Sequence, residues 1–124
     1  MSETYVCSVP ILPCSLNEWA RAHWTRRRLL HDAFQHDLWA VLNEKDNKCP
    51  RGLERVECHA ILTFTEKRRR DGENYGAVLW KWAADVLVRE GVIPDDTPEH
   101  ILCHTPELRV GSENQTLLLI TLEP

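Results

Sequence analysis

The chain has 124 residues, 43% of them apolar and 27% charged, with a formal net charge of −4. That is the balance of a single globular domain over residues 1–124, and it excludes a disordered chain. The longest apolar run, Leu117 to Ile120, is far too short to span a bilayer, and Met-Ser-Glu-Thr at the start has neither a basic segment nor an apolar one, so a cytoplasmic protein without targeting signal is expected. Five cysteines, an odd number without paired short spacings, argue against a disulfide framework and for reduced thiols.

Thr4 to Val9 alternates as a short strand, and Pro10, Pro13 and Cys14-Ser15 after it read as a loop. Leu30, Phe34, Leu38, Val41 and Leu42 share one helical face, with Thr25 as the expected N-cap and an end near Asn43 to Asn47. Val56, Cys58, Ala60, Leu62 and Phe64 alternate as a strand with one face on the core. From about Glu73 the period changes to that of a helix, with Tyr75, Leu79, Trp82, Ala83 and Val86 on one face and Gly91 as its stop. After a turn at Asp95-Asp96, His100 to Thr105 and Thr116 to Leu122 read as two further strands. The order predicts an α+β layer, a mixed β-sheet of about four strands with two helices, without repeats or linkers.

The acidic net charge runs against a protein dominated by phosphate contacts. The basic residues are nonetheless clustered: Arg21, His23, Arg26, Arg27 and Arg28 in one segment, Lys67, Arg68, Arg69 and Arg70 in another. Solvated surface charge is the ordinary explanation of such runs. The most informative stretch is Arg70-Asp71-Gly72-Glu73-Asn74, followed by Lys81 and Asp85 and then by Gly91 to Asp96.

This ordered set resembles the RusA-type Holliday-junction resolvases, whose hallmark is R-D-x-D-N, a helical lysine with an aspartate four residues later, and a D-D pair after a glycine-ended helix. The family's upstream P-x-S-x-N element is matched by Pro13, Ser15 and Asn17. Two departures stand out: Glu73 replaces the second aspartate, one methylene longer, and Lys81 comes seven residues after Asn74 rather than three. At about 100° per residue, Lys81 and Asp85 lie about 20° to either side of Asn74, so the polar line survives the longer spacing.

The resemblance implies a magnesium-dependent endodeoxyribonuclease, with manganese a substitute, that nicks four-way junctions symmetrically as a homodimer in recombination and repair. Asp71, Glu73 and Asp96, helped by Asp95, would hold the hard cation, which favours oxygen ligands. Lys81 would act on the scissile phosphate, Arg26 to Arg28 and Lys67 to Arg70 on flanking phosphates, with Asn17, Asn74 and Asp85 in support. Every one of these groups also has an ordinary structural use. Asp71 suits an N-cap, Glu73 the positive end of a helix, Lys81 and Asp85 an i,i+4 pair, and Asp95-Asp96 a turn. A junction-binding protein without catalysis is the alternative.

Zinc is a further alternative, through Cys58-His59 and Cys103-His104 on two expected strands; adjacent strand residues point to opposite faces, so neither dipeptide can offer both side chains to one ion. Among the five tryptophans, Trp19 and Trp24 lie between basic residues and are the candidates for stacking on bases. A helix from Asn74 to Glu90 is about 25 Å long, while the stretch from Gly91 to Asp96 reaches back at most about 17 Å. Asp96 is therefore expected to complete the Asp71 site of a second, antiparallel subunit, with the two helices paired across a twofold.

Overall fold

A computed structural model describes residues 3–123; Met1, Ser2 and Pro124, and with them part of the stretch read for a targeting signal, lie outside the described residues. The elements run β1 (Glu3–Val9), α1 (Leu16–Arg21), α2 (Trp24–Leu42), β2 (Arg55–Phe64), α3 (Gly72–Arg89), β3 (Ile101–Cys103), β4 (Glu107–Val110) and β5 (Gln115–Glu123). The fold is α+β: a five-stranded mixed sheet with three helices.

Strands β1 and β2 pair antiparallel with β5 between them, while β3 and β4 both lie parallel to β2 on its far side. The two short strands are one edge strand broken at His104 to Pro106, where proline cannot donate to a ladder. The strand expected over His100 to Thr105 ends at Cys103, and β4 is additional, because a four-residue strand after a proline carries almost no periodic signal. Helix α1 is an element beyond those expected; Ser15 caps it by accepting from the Glu18 amide at 3.0 Å. Helix α2 starts two residues earlier than expected, with His23 rather than Thr25 as its cap.

The alternation in β2 puts Val56, Cys58, Ala60, Leu62 and Phe64 on the buried face, under α3 and α2. Helix α3 is buried on most of its circumference, and Gly91 closes it at φ 75°, a left-handed position that glycine adopts without strain. Its start is set by close approach. A Cβ on Gly72 would lie 2.9 Å from the Pro106 oxygen, and one on Gly76 2.9 Å from the Pro106 ring. One turn further on, the Trp80 indole donates to the His104 carbonyl at 2.8 Å. Residues 72, 76 and 80 thus form a single face of α3 that seats its N-terminal half on the break in the edge strand. No helix among the described residues is long and apolar enough to cross a membrane.

Candidate functional site

At the N-terminal end of α3 lies a cleft of about 490 Å³, lined by Ser15, Asn17, Arg21, Arg68, Arg69, Arg70, Asp71, Asn74 and Tyr75. Two stretches far apart in sequence, residues 13–21 and 68–75, meet there, the second of them in two parts. Buried Pro13 and Cys14 anchor the first, Ser15 starts α1, and Asn17 and Arg21 follow one turn apart, the Arg21 Nε donating to the Asn17 carbonyl at 3.3 Å. The second begins in the chain between β2 and α3, which carries the arginines. Its other part is the first turn of α3, where the Asp71 Oδ1 accepts from the Glu73 amide at 3.0 Å. A second groove, lined by Ser15, Arg21, Arg26 and Arg68 among others, adjoins it. Unpaired amides at a helix start and several guanidinium groups make this end attractive to anions.

The cations divide into two kinds. Lys67, Arg68, Arg69 and Arg26 are exposed, and none of them makes an ion pair among the described residues. Arg27 is structural instead: it donates to the Trp19 carbonyl at 2.9 Å and the Ala20 carbonyl at 3.1 Å and lies over the Trp19 ring, which fixes α1 on α2. Arg70 lies 3.9 Å above the Phe64 ring and donates to the Glu66 carbonyl at 2.8 Å, holding the basic segment in place. Arg28 faces Asp32 at 3.8 Å on the exposed side of α2. Within the expected phosphate-holding row of Arg26 to Arg28 and Lys67 to Arg70, Arg27 is thus engaged by two backbone carbonyls, while Arg70 gives one bond to a carbonyl and still lines the cleft. The expectation for Trp19 is corrected, since it packs edge-on against Trp82; Trp24 is 66% exposed.

The carboxylates do not assemble within one chain. Asp71 and Glu73 are exposed at the start of α3, and Asp95 and Asp96 are exposed beyond the end of its 18 residues, a helix about 27 Å long; among the described residues they are not part of any group of three ligand atoms within 4.8 Å. Asp96 is held locally, its amide donating to Asp95 Oδ1 at 2.8 Å. A single-chain magnesium site made of Asp71, Glu73, Asp95 and Asp96 therefore does not form, and these residues do not fit the ion in the isolated chain. Lys81 is exposed and Asp85 half-buried on the outer side of α3; they make no ion pair, which removes the i,i+4 explanation for them.

A different group does converge. Glu57 and His59 on β2 and His104 just after β3 point to the sheet face away from the helices, with their ligand atoms all within 4.8 Å of one another. The imidazoles stack with centroids 4.0 Å apart and planes 5° from parallel. Glu57 Oε1 lies 2.7 Å from His104 Nε2 and 3.5 Å from His59 Nε2. The hydrogen bond with His104 holds the Glu57 carboxyl below the usual carboxylate range, against a smaller upward pull from burial. Cys58 and Cys103 pair in register on the opposite face, where hydrogen bonding to Cys103 and burial push the Cys58 thiol up. The zinc reading from sequence held each Cys-His dipeptide unable to act as a unit, and the strands do split the two residue types between faces. What it missed was Glu57, on the same face as His59 by alternation but matched to His104 only once β2 and β3 are aligned. No model of a known protein family matches the chain, and no curated protein does.

Proposed function

We propose that the protein is a magnesium-dependent endodeoxyribonuclease acting on branched DNA, with the cleft at the start of α3 as the place where the phosphodiester backbone lies. The observation that carries this reading is the convergence on one cleft of Ser15 and Asn17 with the continuous stretch Arg68 to Asn74, two motifs more than fifty residues apart that the RusA resemblance connects. Asn17, Arg21 and Arg68 provide donors and charge for phosphate oxygens, and Asp71 provides a carboxylate at their centre. Magnesium held by carboxylates supplies a nucleophilic water and neutralises charge on the leaving oxygen.

The missing carboxylates come from a second copy. Along α3 the exposed line is Glu73, Ala77, Lys81 and Arg89, with Asp85 beside it. If two helices are set antiparallel about a twofold at the level of Ala83, Lys81 of each stands opposite Asp85 of the other, and the Asp71 end of each meets the Asp95-Asp96 end of its partner. The contact is polar, since the apolar face of α3 is spent on its own sheet. Protein carrying Asp71→Asn should lose nicking of a synthetic four-way junction by about 100-fold or more, as should Asp96→Asn. A mixture of the two variants should regain activity, because one site per mixed dimer is intact. Recovery in neither mixture nor any dilution series rejects the shared site.

A second reading is favoured by the isolation of Asp71 as the one carboxylate in the cleft. On that reading the protein binds junctions without cutting them. It requires tight, salt-dependent junction binding with no nicking in magnesium or manganese, and unchanged binding in Asp96→Asn.

A further inference from the structure

We propose that Glu57, His59 and His104 form a binding site for a divalent transition ion, zinc being the best match, that clips the short strand β3 to β2 on the helix-free face of the sheet. Two imidazoles and a carboxylate are a borderline donor set that suits zinc, cobalt or nickel and is unsuited to magnesium, which takes oxygen ligands. The site is thus separate in chemistry, as well as in position, from the carboxylate set of the proposed nuclease, and it does not depend on that reading.

The separations of the ligand atoms are close to what coordination requires. Ligand atoms about 2.05 Å from a tetrahedral ion stand about 3.3 Å from one another. The Glu57 oxygen already lies 2.7 Å and 3.5 Å from the two Nε2 atoms and all three ligand atoms lie within 4.8 Å; the stacked rings have to turn out of parallel for both lone pairs to aim at one ion. The backbone carrying His104 is fixed from both sides: its amide donates to the Cys58 carbonyl at 3.0 Å and its carbonyl accepts from Trp80 at 2.8 Å. His59 and Glu57 are held two residues apart on the longest strand of the sheet. The side chains are 31% to 50% exposed, so an ion reaches them from solvent and keeps room for water in the open position.

Without a metal only one of the two imidazoles bonds Glu57 closely. One carboxylate oxygen accepts a good hydrogen bond from His104, while the stacked His59 ring is left at 3.5 Å from the same atom. An ion would bond both Nε2 atoms and the oxygen at once. Because the three ligands come from β2 and the residue after β3, binding is coupled to holding a three-residue edge strand in place.

The test is titration of chelator-treated protein with zinc. One ion per chain should bind with a dissociation constant in the micromolar range and raise the Tm by several degrees. His59→Ala and His104→Ala should each weaken binding at least about tenfold, since loss of an outer partner alone does that much. Cys103→Ser and Asp71→Asn should bind zinc as the unaltered chain does. Cobalt should give visible bands without the near-ultraviolet transition of a thiolate ligand. Far-ultraviolet spectra of the metal-free variants should match the parent; a variant that does not fold is replaced by His59→Gln or His104→Gln with the same expectation. Equal zinc affinity in the histidine variants, a thiolate band with cobalt, or no saturable binding up to millimolar zinc overturns the proposal.

Discussion

The two groups of side chains suited to holding a cation in this protein are built in opposite ways. Asp71, Glu73, Asp95 and Asp96 stand out along the chain, yet α3 separates them into pairs at its two ends. Glu57, His59 and His104 have no motif in the sequence, yet one strand pairing brings them within 4.8 Å. A helix keeps residues four apart together and drives residues twenty apart to opposite ends, whereas a parallel strand pair joins residues almost fifty positions apart with no trace in local spacing. Motif strength and spatial convergence are therefore separate properties, and only the second holds an ion.

The largest expected effect that sharpens this contrast is on nicking. Asp71→Asn removes the one cleft carboxylate and should abolish junction cleavage, while His104→Ala should leave cleavage in magnesium close to that of the parent. Loss of cleavage in both would mean that the two groups are functionally joined. Glu73→Asp should raise the nicking rate, since it restores the shorter side chain of the family pattern; a fall would show that the longer reach of Glu73 is what the site uses.

Next in size is the seat of α3 on the edge-strand break, which both regions share. Gly76→Ala would be expected to stabilise an ordinary helix by up to about 1 kcal/mol. Here its Cβ would lie 2.9 Å from the Pro106 ring, so a loss of about 1–3 kcal/mol is expected in denaturant unfolding. The same substitution should weaken zinc binding as well, through the displaced His104 backbone.

The cations give a smaller and more specific effect. Arg68→Ala and Arg69→Ala should each flatten the dependence of junction affinity on salt by about one phosphate contact, while Arg27→Ala should lower stability and leave that slope unchanged. If Arg27→Ala alters the slope instead, the division of the arginines into anchors and phosphate holders is wrong.

The smallest effect concerns the thiols. Burial pushes Cys7 up to about 12, and Cys14 and Cys49 up to about 11, from an ordinary value of 9.0. A raised value means that the folded chain prefers the protonated form, so this part of the stability is complete below pH 9 and is lost as pH rises through about 11 to 12. At pH 8 an alkylating reagent should therefore spare these three and reach the half-buried Cys103 first, and bound zinc should change its rate less than unfolding does.

Much of the architecture could be read from the residues. The apolar periods of α2, β2, α3 and β5 are long enough to identify the elements, and Gly91 and Asp71 mark the ends of α3 by their chemistry. The break in the edge strand, β4 and α1 were not legible, since β4 and α1 are each too short for a periodic pattern to reveal them. Of the cleft, the sequence supplied the separate motifs and the net basic character of two segments. Which arginines remain available was decided by carbonyl partners on Trp19 and Ala20, and Gly72 and Gly76 acquire their meaning only against Pro106.

By itself, then, the sequence determined what is local: helix faces, caps, strand alternation and the kinds of donor available. Tertiary structure alone decided which donors meet, separating the acids of α3 and joining Glu57 and His59 to His104. The physical reason is that side-chain direction follows from a few neighbouring residues, while pairing between strands depends on how the whole sheet buries its apolar face.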